Sequence, residues 1–269
     1  MSSTNTYQTF FSAARQLCAA ARTFSGVASL PFGILLAQRL GELLGQTRPL
    51  EGSIRTFLPP QVTAHIFGHL APFFTQTSME QGKTFLSRAR GIEGFFDHRI
   101  LMLDDGAAVG GVRTRTFDDR GVAPVPLTLI REGMVDRHFL SVSSARAQDT
   151  RATGHLIDGQ YRPTNLKIRG GTRSLNALMA EMDEEVLWID HLRDFESGLS
   201  MKDGTLSCLC SGRIMRKGKV LGVVRNARLE GSLVESFRQL VSLSSDTDRY
   251  GHVDAPGMVL DGFKVFSQR

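Results

Sequence analysis

The sequence predicts an α+β fold, a core of antiparallel or mixed β-sheet built from hairpins with a few packed helices, and three observations predict it. Within residues 117–155, Val125, Leu127 and Leu129 alternate, Arg131-Glu132-Gly133 follows, and Val135, Phe139 and Leu140 resume, which is the pattern of two strands closed by a glycine-containing turn. A second hairpin is expected across Lys217-Gly218, joining residues 205–216 to 219–225. Helical periodicity is confined to a few short, separated segments.

In chain order, Phe10, Ala14, Leu17, Cys18 and Ala21, then Leu36, Leu40, Leu43 and Leu44, recur at helical spacing. Residues 1–50 are therefore expected to form a short helical segment ahead of an α+β domain over 51–269. Residues 52–58 can form a strand, and Pro59-Pro60 then opens a helix, where a proline in the first turn loses no useful hydrogen bond. Val62, His65, Ile66, His69, Leu70 and Phe73 share one face of that helix, and Pro72 helps to end it. Residues 83–90 read as a loop or short helix, and residues 98–103 as a strand ending in the turn Asp104-Asp105-Gly106. The glycine-rich loop over 106–111 lacks both the spacing and the following helix of a phosphate cradle. Further on, 165–169 and 186–189 read as strands. Ser174 caps a helix carrying Leu175, Leu178, Met179 and Met182. Ser232 and Glu235 form a capping box heading a helix with Leu233, Phe237, Leu240 and Val241, and residues 258–266 close the chain as one strand.

At 269 residues, 41% hydrophobic and 22% charged, the chain can bury a full core. Cys18, Cys208 and Cys210 leave one thiol unpaired in any scheme, which favours a reducing compartment and makes the cytoplasm the expected location. The apolar run over 27–37 contains Pro31 and falls short of the roughly 20 residues of a membrane span, so no membrane partner is expected. The formal charge of +5 comes from arginines spread along the chain among acids, without a basic stripe interleaved with aromatics. A nucleic-acid partner is not expected.

The order of the motifs carries more information. Phe117-Asp118-Asp119 with Gly121, then Ile130, Glu132 and Gly133, then Leu140, Ala145 and Arg146, then Thr153-Gly154, resembles the C-terminal domain of the TldD/PmbA metallopeptidase family (PmbA is also called TldE). Arg120 stands where the family usually has Glu. The likeness continues through Thr164-Asn165-Leu166, Gly204-Thr205-Leu206-Ser207 and Lys217-Gly218-Lys219, and is closer to the PmbA branch. Because it begins about 50 residues into the chain, the resemblance implies that the family's N-terminal domain is missing or reduced to the two opening helices.

TldD-type chains carry a His-Glu-x-x-x-His zinc motif, completed by a later cysteine, with the glutamate as base. Two imidazoles one helical turn apart can converge on one ion, and a neighbouring carboxylate can take the proton of bound water. This sequence has His65-Ile66-Phe67-Gly68-His69. His69 aligns with the second family histidine, His65 lies one residue late, Ile66 stands in the place of the base, and Tyr250-Gly251-His252 replaces the region of the cysteine. The resemblance therefore implies a non-catalytic subunit with no metal of its own. It would pair with a zinc-bearing TldD-like catalytic subunit in a heterodimeric peptidase and handle peptides, including those of natural-product maturation. It also implies that Arg146, Thr153 and His155 lie near a groove where a peptide is added as a strand. Two alternatives are a free-standing metalloenzyme using His65, His69 and His252, and a scaffold that binds another protein through a sheet edge. The acid pairs Asp104-Asp105 and Asp118-Asp119 read as turn residues, and Ser143-Ser144 lacks a hydrolase elbow.

Overall fold

A computed structural model describes residues 33–34 and 45–267. The two opening helices expected from the sequence fall outside them, apart from a helical backbone at Gly33 and Ile34.

The predicted strand at 52–58 is present as β1 (Glu51–Ser53) and β2 (Arg55–Leu58), broken at Ile54. Helix α1 (Pro60–Leu70) starts at the two prolines and runs into a 3-10 turn at Ala71–Phe73. Short α2 (Gln76–Glu80) and a 3-10 turn at Phe85–Ala89 lead to β3 (Met102–Asp104). The strand expected from residue 98 begins only at 102. Asp97 accepts the backbone N–H of Arg99 at 2.9 Å, and Ile100 N–H bonds back to the Asp97 carbonyl, so the preceding residues are committed to a turn.

The first hairpin is β4 (Leu127–Arg131) with β5 (Met134–Val135), and the second is β10 (Thr205–Arg216) with β11 (Lys219–Ser232). Between them lie α3 (Val142–Ala147), β6 (Leu156–Ile157), β7 (Gln160–Tyr161), β8 (Leu166–Ile168), α4 (Leu175–Glu181), β9 (Val186–Arg193) and α5 (Phe195–Gly198). The Ser174 hydroxyl caps α4, as its position predicts. Ser232 likewise caps α6 (Leu233–Arg238), but that helix stops before Leu240. Leu240 and Val241 instead begin β12 (Leu240–Tyr250), and the closing strand is split into β13 (Val253–Leu260) and β14 (Lys264–Phe266).

Among the described residues, twelve strands form one sheet in the order β1-β14-β11-β10-β9-β2-β13-β8-β3-β4-β5, with β12 added along β13. One edge of β13 pairs with β12, and the opposite edge takes β2 at Met258–Leu260 and β8 at Val253-Asp254. Among the named strands of the described residues, β2 with β9 and β8 with β13 are the parallel pairs. Side chains alternate across the sheet as the two-residue strand period requires. On β2, Leu58 enters the main core with Ile66, Phe67, Leu70 and Phe237, whereas Phe57 joins a smaller cluster with Leu178 and Met179 of α4. Helix α1 lies over β12 and β13, and its Phe67 stacks on Phe237 of α6 at 5.2 Å. Among the described residues no helix is long and apolar enough to cross a membrane.

Candidate functional site

The two histidines of α1 sit at the border of its buried face. Val62, Ile66, Phe67 and Leu70 point into the core, while His65 and His69 remain half-buried and meet the edge of Phe195 on α5, at ring distances of 5.5 and 5.6 Å. His65 Nε2 lies 3.0 Å from Glu196 Oε1, but the two are not aligned for a hydrogen bond, so the contact is an ion-pair approach only. Burial pushes the His69 imidazole below its usual pKa, with His65 adding to the effect and Glu196 opposing it. Ile66, where the family's base would stand, is 1% exposed and belongs to the core.

His252 is placed elsewhere. It precedes β13 in a turn, its carbonyl accepts the N–H of Leu166, and its ring lines a cleft of about 380 Å³ with the 108–112 loop, Lys167, Arg249 and Asp254. Among the described residues, no three histidine, cysteine, aspartate or glutamate side chains are grouped to hold a metal ion. The structure brings His65 and His69 together and does not group His252 with them. Cys208 and Cys210 do not substitute as thiolates, because both are buried in β10 and burial pushes their thiols up to about 12. Among the described residues, His65, His69 and His252 are therefore not gathered into a zinc donor set.

Burial also lowers the His252 pKa to about 4, with Arg113 nearby adding to the shift. The unfolded imidazole would take up a proton near pH 6.5, before the folded one does. Stability is therefore expected to be full above pH 6.5 and to fall as the pH drops toward 4. Replacing His252 with Asn should flatten that slope in urea midpoints measured across this range. An unchanged slope would contradict the assignment.

The three residues expected beside a peptide groove have different fates. Arg146, in the last turn of α3, is exposed. Thr153 is buried, and its hydroxyl accepts the Leu140 N–H at 3.1 Å, tying the chain after the first hairpin to the segment that follows α3. His155 is fully buried: its Nε2 and Asp104 Oδ2 are 2.6 Å apart, and its ring lies on Phe139 at 4.7 Å. Asp104 also accepts the Thr164 N–H at 2.9 Å and the Thr164 hydroxyl at 2.7 Å. Thr153 and His155 are thus buried and face no open surface of the chain.

The neighbouring motif residues do related work. Asp118 accepts the N–H groups of Arg120 and Val122 and, through its other oxygen, that of Leu156. Asn165 donates to the Asp105 carbonyl at 2.8 Å and to Thr114, and accepts the Arg113 N–H at 2.9 Å, so one side chain pins both ends of the glycine-rich loop. The turn reading of the acid pairs is correct for Asp118, but Asp104 does more than turn chemistry requires. The sequence offered one signal for it, an acid closing an apolar strand, and did not reveal its partners 51 and 60 residues away.

The model of the PmbA/TldA metallopeptidase C-terminal domain matches residues 51–267. The chain belongs to this family. Relatives include a Metalloprotease PmbA homolog of Buchnera aphidicola, 24% identical over 205 residues that make up 76% of this chain and 44% of the relative. The chain thus spans less than half the length of that curated relative. Among solved structures, a candidate modulator of a DNA gyrase from Thermotoga maritima superposes with a TM-score of 0.81 at 21% identity, covering 91% of this chain and 57% of the other. TldE from Thermococcus kodakarensis gives a TM-score of 0.75 at 19% identity, covering 89% and 56%. These likenesses establish the fold expected from the motif order.

Proposed function

We propose that this chain is a non-catalytic, PmbA/TldE-like subunit of a heterodimeric TldD/TldE-type metallopeptidase. Zinc would reside in the TldD-like partner, and this subunit would shape the passage through which a peptide reaches it, including in peptide natural-product maturation. The observation that carries the reading is at α1: the two histidines are retained in part, but Ile66 is sealed in the core where the chemistry needs a carboxylate base. Two buried free thiols among the described residues fit a reducing, cytoplasmic setting.

Native mass spectrometry of the chain, expressed alone and together with a TldD-like partner, tests the proposal. The expected result is a metal-free chain alone and a heterodimer whose zinc travels with the partner. One metal per isolated chain, lost on His65→Ala or His69→Ala, would overturn it in favour of a free-standing enzyme.

A further inference from the structure

A cleft of about 700 Å³ lies over β3, with β8 and β4 on either side. Strand register sets its floor. Met102 pairs with Ile168 and with Ile130, and the Arg169 N–H bonds to the Leu101 carbonyl at 3.0 Å, so Arg169, Leu101 and Arg131 continue as one row across three strands. On β4 the register shifts between the partners of Met102 and Leu103, which leaves Leu129 as the extra residue of a bulge. Without it Thr128 and Arg131, three residues apart, would face opposite sides of the sheet; with it both line the cleft beside Leu101 and Leu103. Two strand spacings put the Arg131 and Arg169 backbones about 10 Å apart, with Leu101 between them.

The chain after β8 supplies a further wall. Gly170 and Gly171 rest backbone to backbone on β12: a Cβ on Gly171 would fall inside the contact radius of the Leu243 carbonyl oxygen, and one on Gly170 would lie 2.9 Å from that of Ser244. This close approach brings Arg173 to the lining.

The arginines are not equivalent. Arg99 is spent, since its guanidinium donates to both Asp97 oxygens and to the carbonyls of Leu240 and Val241. Arg131 gives Nε to Asp136 at 3.0 Å and Arg173 gives Nη1 to Glu181, which leaves each with further N–H donors. Arg169 has no acid partner among the described residues. Asp136 and Glu181 do not line the cleft, so these pairs turn their positive ends toward it. Glu132, beside Arg131 in the β4–β5 turn, is the one acid among the described lining residues. All three guanidiniums are open to solvent, so none demands a ligand; what the fold supplies is their convergence on one concave space, where charge of one sign is focused. Arg131 and Arg169, on opposite sides of Leu101, are spaced for two anionic groups rather than one. The guanidinium fork fits the coplanar oxygens of a carboxylate, and Leu101, Leu103 and Leu243 offer apolar contact to the methylenes between.

We propose that this cleft binds an acidic peptide segment, with one carboxylate side chain at Arg131 and a second at Arg169 and Arg173. This deepens, and rests on, the reading of the chain as a peptide-handling subunit.

The test uses the chain alone and rhodamine-labelled, C-terminally amidated peptides that differ at two positions three residues apart, with Glu at both, Glu at one, or Gln at both. By fluorescence anisotropy, the two-Glu peptide is expected to bind about fivefold tighter than the two-Gln peptide, as suits two solvent-exposed charge pairs, with the one-Glu peptide between them. Raising the salt should shrink the preference. Arg131→Gln and Arg169→Gln should each reduce it to that of a single Glu, and Thr128→Trp, which fills the cleft without changing charge, should abolish it. Arg216→Gln, at the far β10–β11 turn, should leave it intact. Equal binding of the three peptides, a preference that survives Arg131→Gln and Thr128→Trp, an equal loss on Arg216→Gln, or displacement by inorganic phosphate at lower concentration than by succinate would each overturn the proposal. A heterodimer that forms with no preference for the two-Glu peptide would sink this site alone. The preference without a heterodimer would sink the subunit reading alone.

Discussion

Replacing Asp104 with alanine is expected to destabilise the domain by about 4 kcal/mol, because breaking a buried hydrogen-bonded pair leaves its partners without the compensation that offsets their desolvation. Three groups are affected together: His155 Nε2, the Thr164 N–H and the Thr164 hydroxyl, all within 2.9 Å of an Asp104 oxygen. None can turn to water, since His155, Thr164 and Asp104 are each 0% exposed. The His155 ring is also held by Phe139, so an unpaired imidazole has little room to find another partner. Thr164→Val provides the comparison. It removes one hydroxyl bond and keeps the backbone donor, so about 1 kcal/mol is expected. Urea unfolding followed by the fluorescence of Trp188, the single tryptophan, which packs against Phe57 at 4.5 Å, measures both. If Asp104→Ala costs no more than Thr164→Val, the network does not fasten the segment around His155.

That network shows where sequence reading succeeds and where it stops. Both hairpins were legible because a turn and its flanking alternation are local: Lys217 and Gly218 take the positive φ values of 49° and 73° that the turn needs. The start of α6 was legible for the same reason, since Ser232 caps the N–H of Glu235 three residues on. Its end was not. Leu240 and Val241 continue a helical apolar spacing, but pairing of Leu240 with Leu260 draws them into β12, a contact that only the folded sheet supplies. The split between β13 and β14 did have a signal, Asp261-Gly262, where Gly262 takes a φ of 98° and Asp261 is held by the Arg55 guanidinium.

The candidate site divides along the same line. The altered histidine motif on α1 is contiguous and could be read directly. The separation of His252 from His65 and His69 depends on where β13 begins relative to α1, and the burial of Thr153 and His155 depends on partners 13 and 51 residues away, Leu140 and Asp104.

Gly133→Ala should be the most damaging single methyl in the first hairpin. Gly133 has a φ of 74°, where an L side chain is strained by about 1 kcal/mol, and a Cβ there would fall inside the contact radius of the Phe96 carbonyl oxygen and 2.9 Å from that of Asp97. Both obstacles are backbone, and Phe96 N–H bonds to the Gly133 carbonyl at 3.0 Å, so the turn cannot retreat without losing that bond. Phe96 is itself fully buried against Phe237, which packs on Phe67 of α1, so a shift at the turn would be carried toward the helix bearing His65 and His69. Strain, displacement and the lost bond together should cost about 3 kcal/mol or more. Gly121→Ala separates these causes. Gly121 has a nearly equal φ of 76° but open space at the Cβ position, so strain alone applies and about 1 kcal/mol is expected. Equal losses for the two variants would mean that backbone conformation, and not the close approach of residues 96 and 97, makes glycine necessary at the turn.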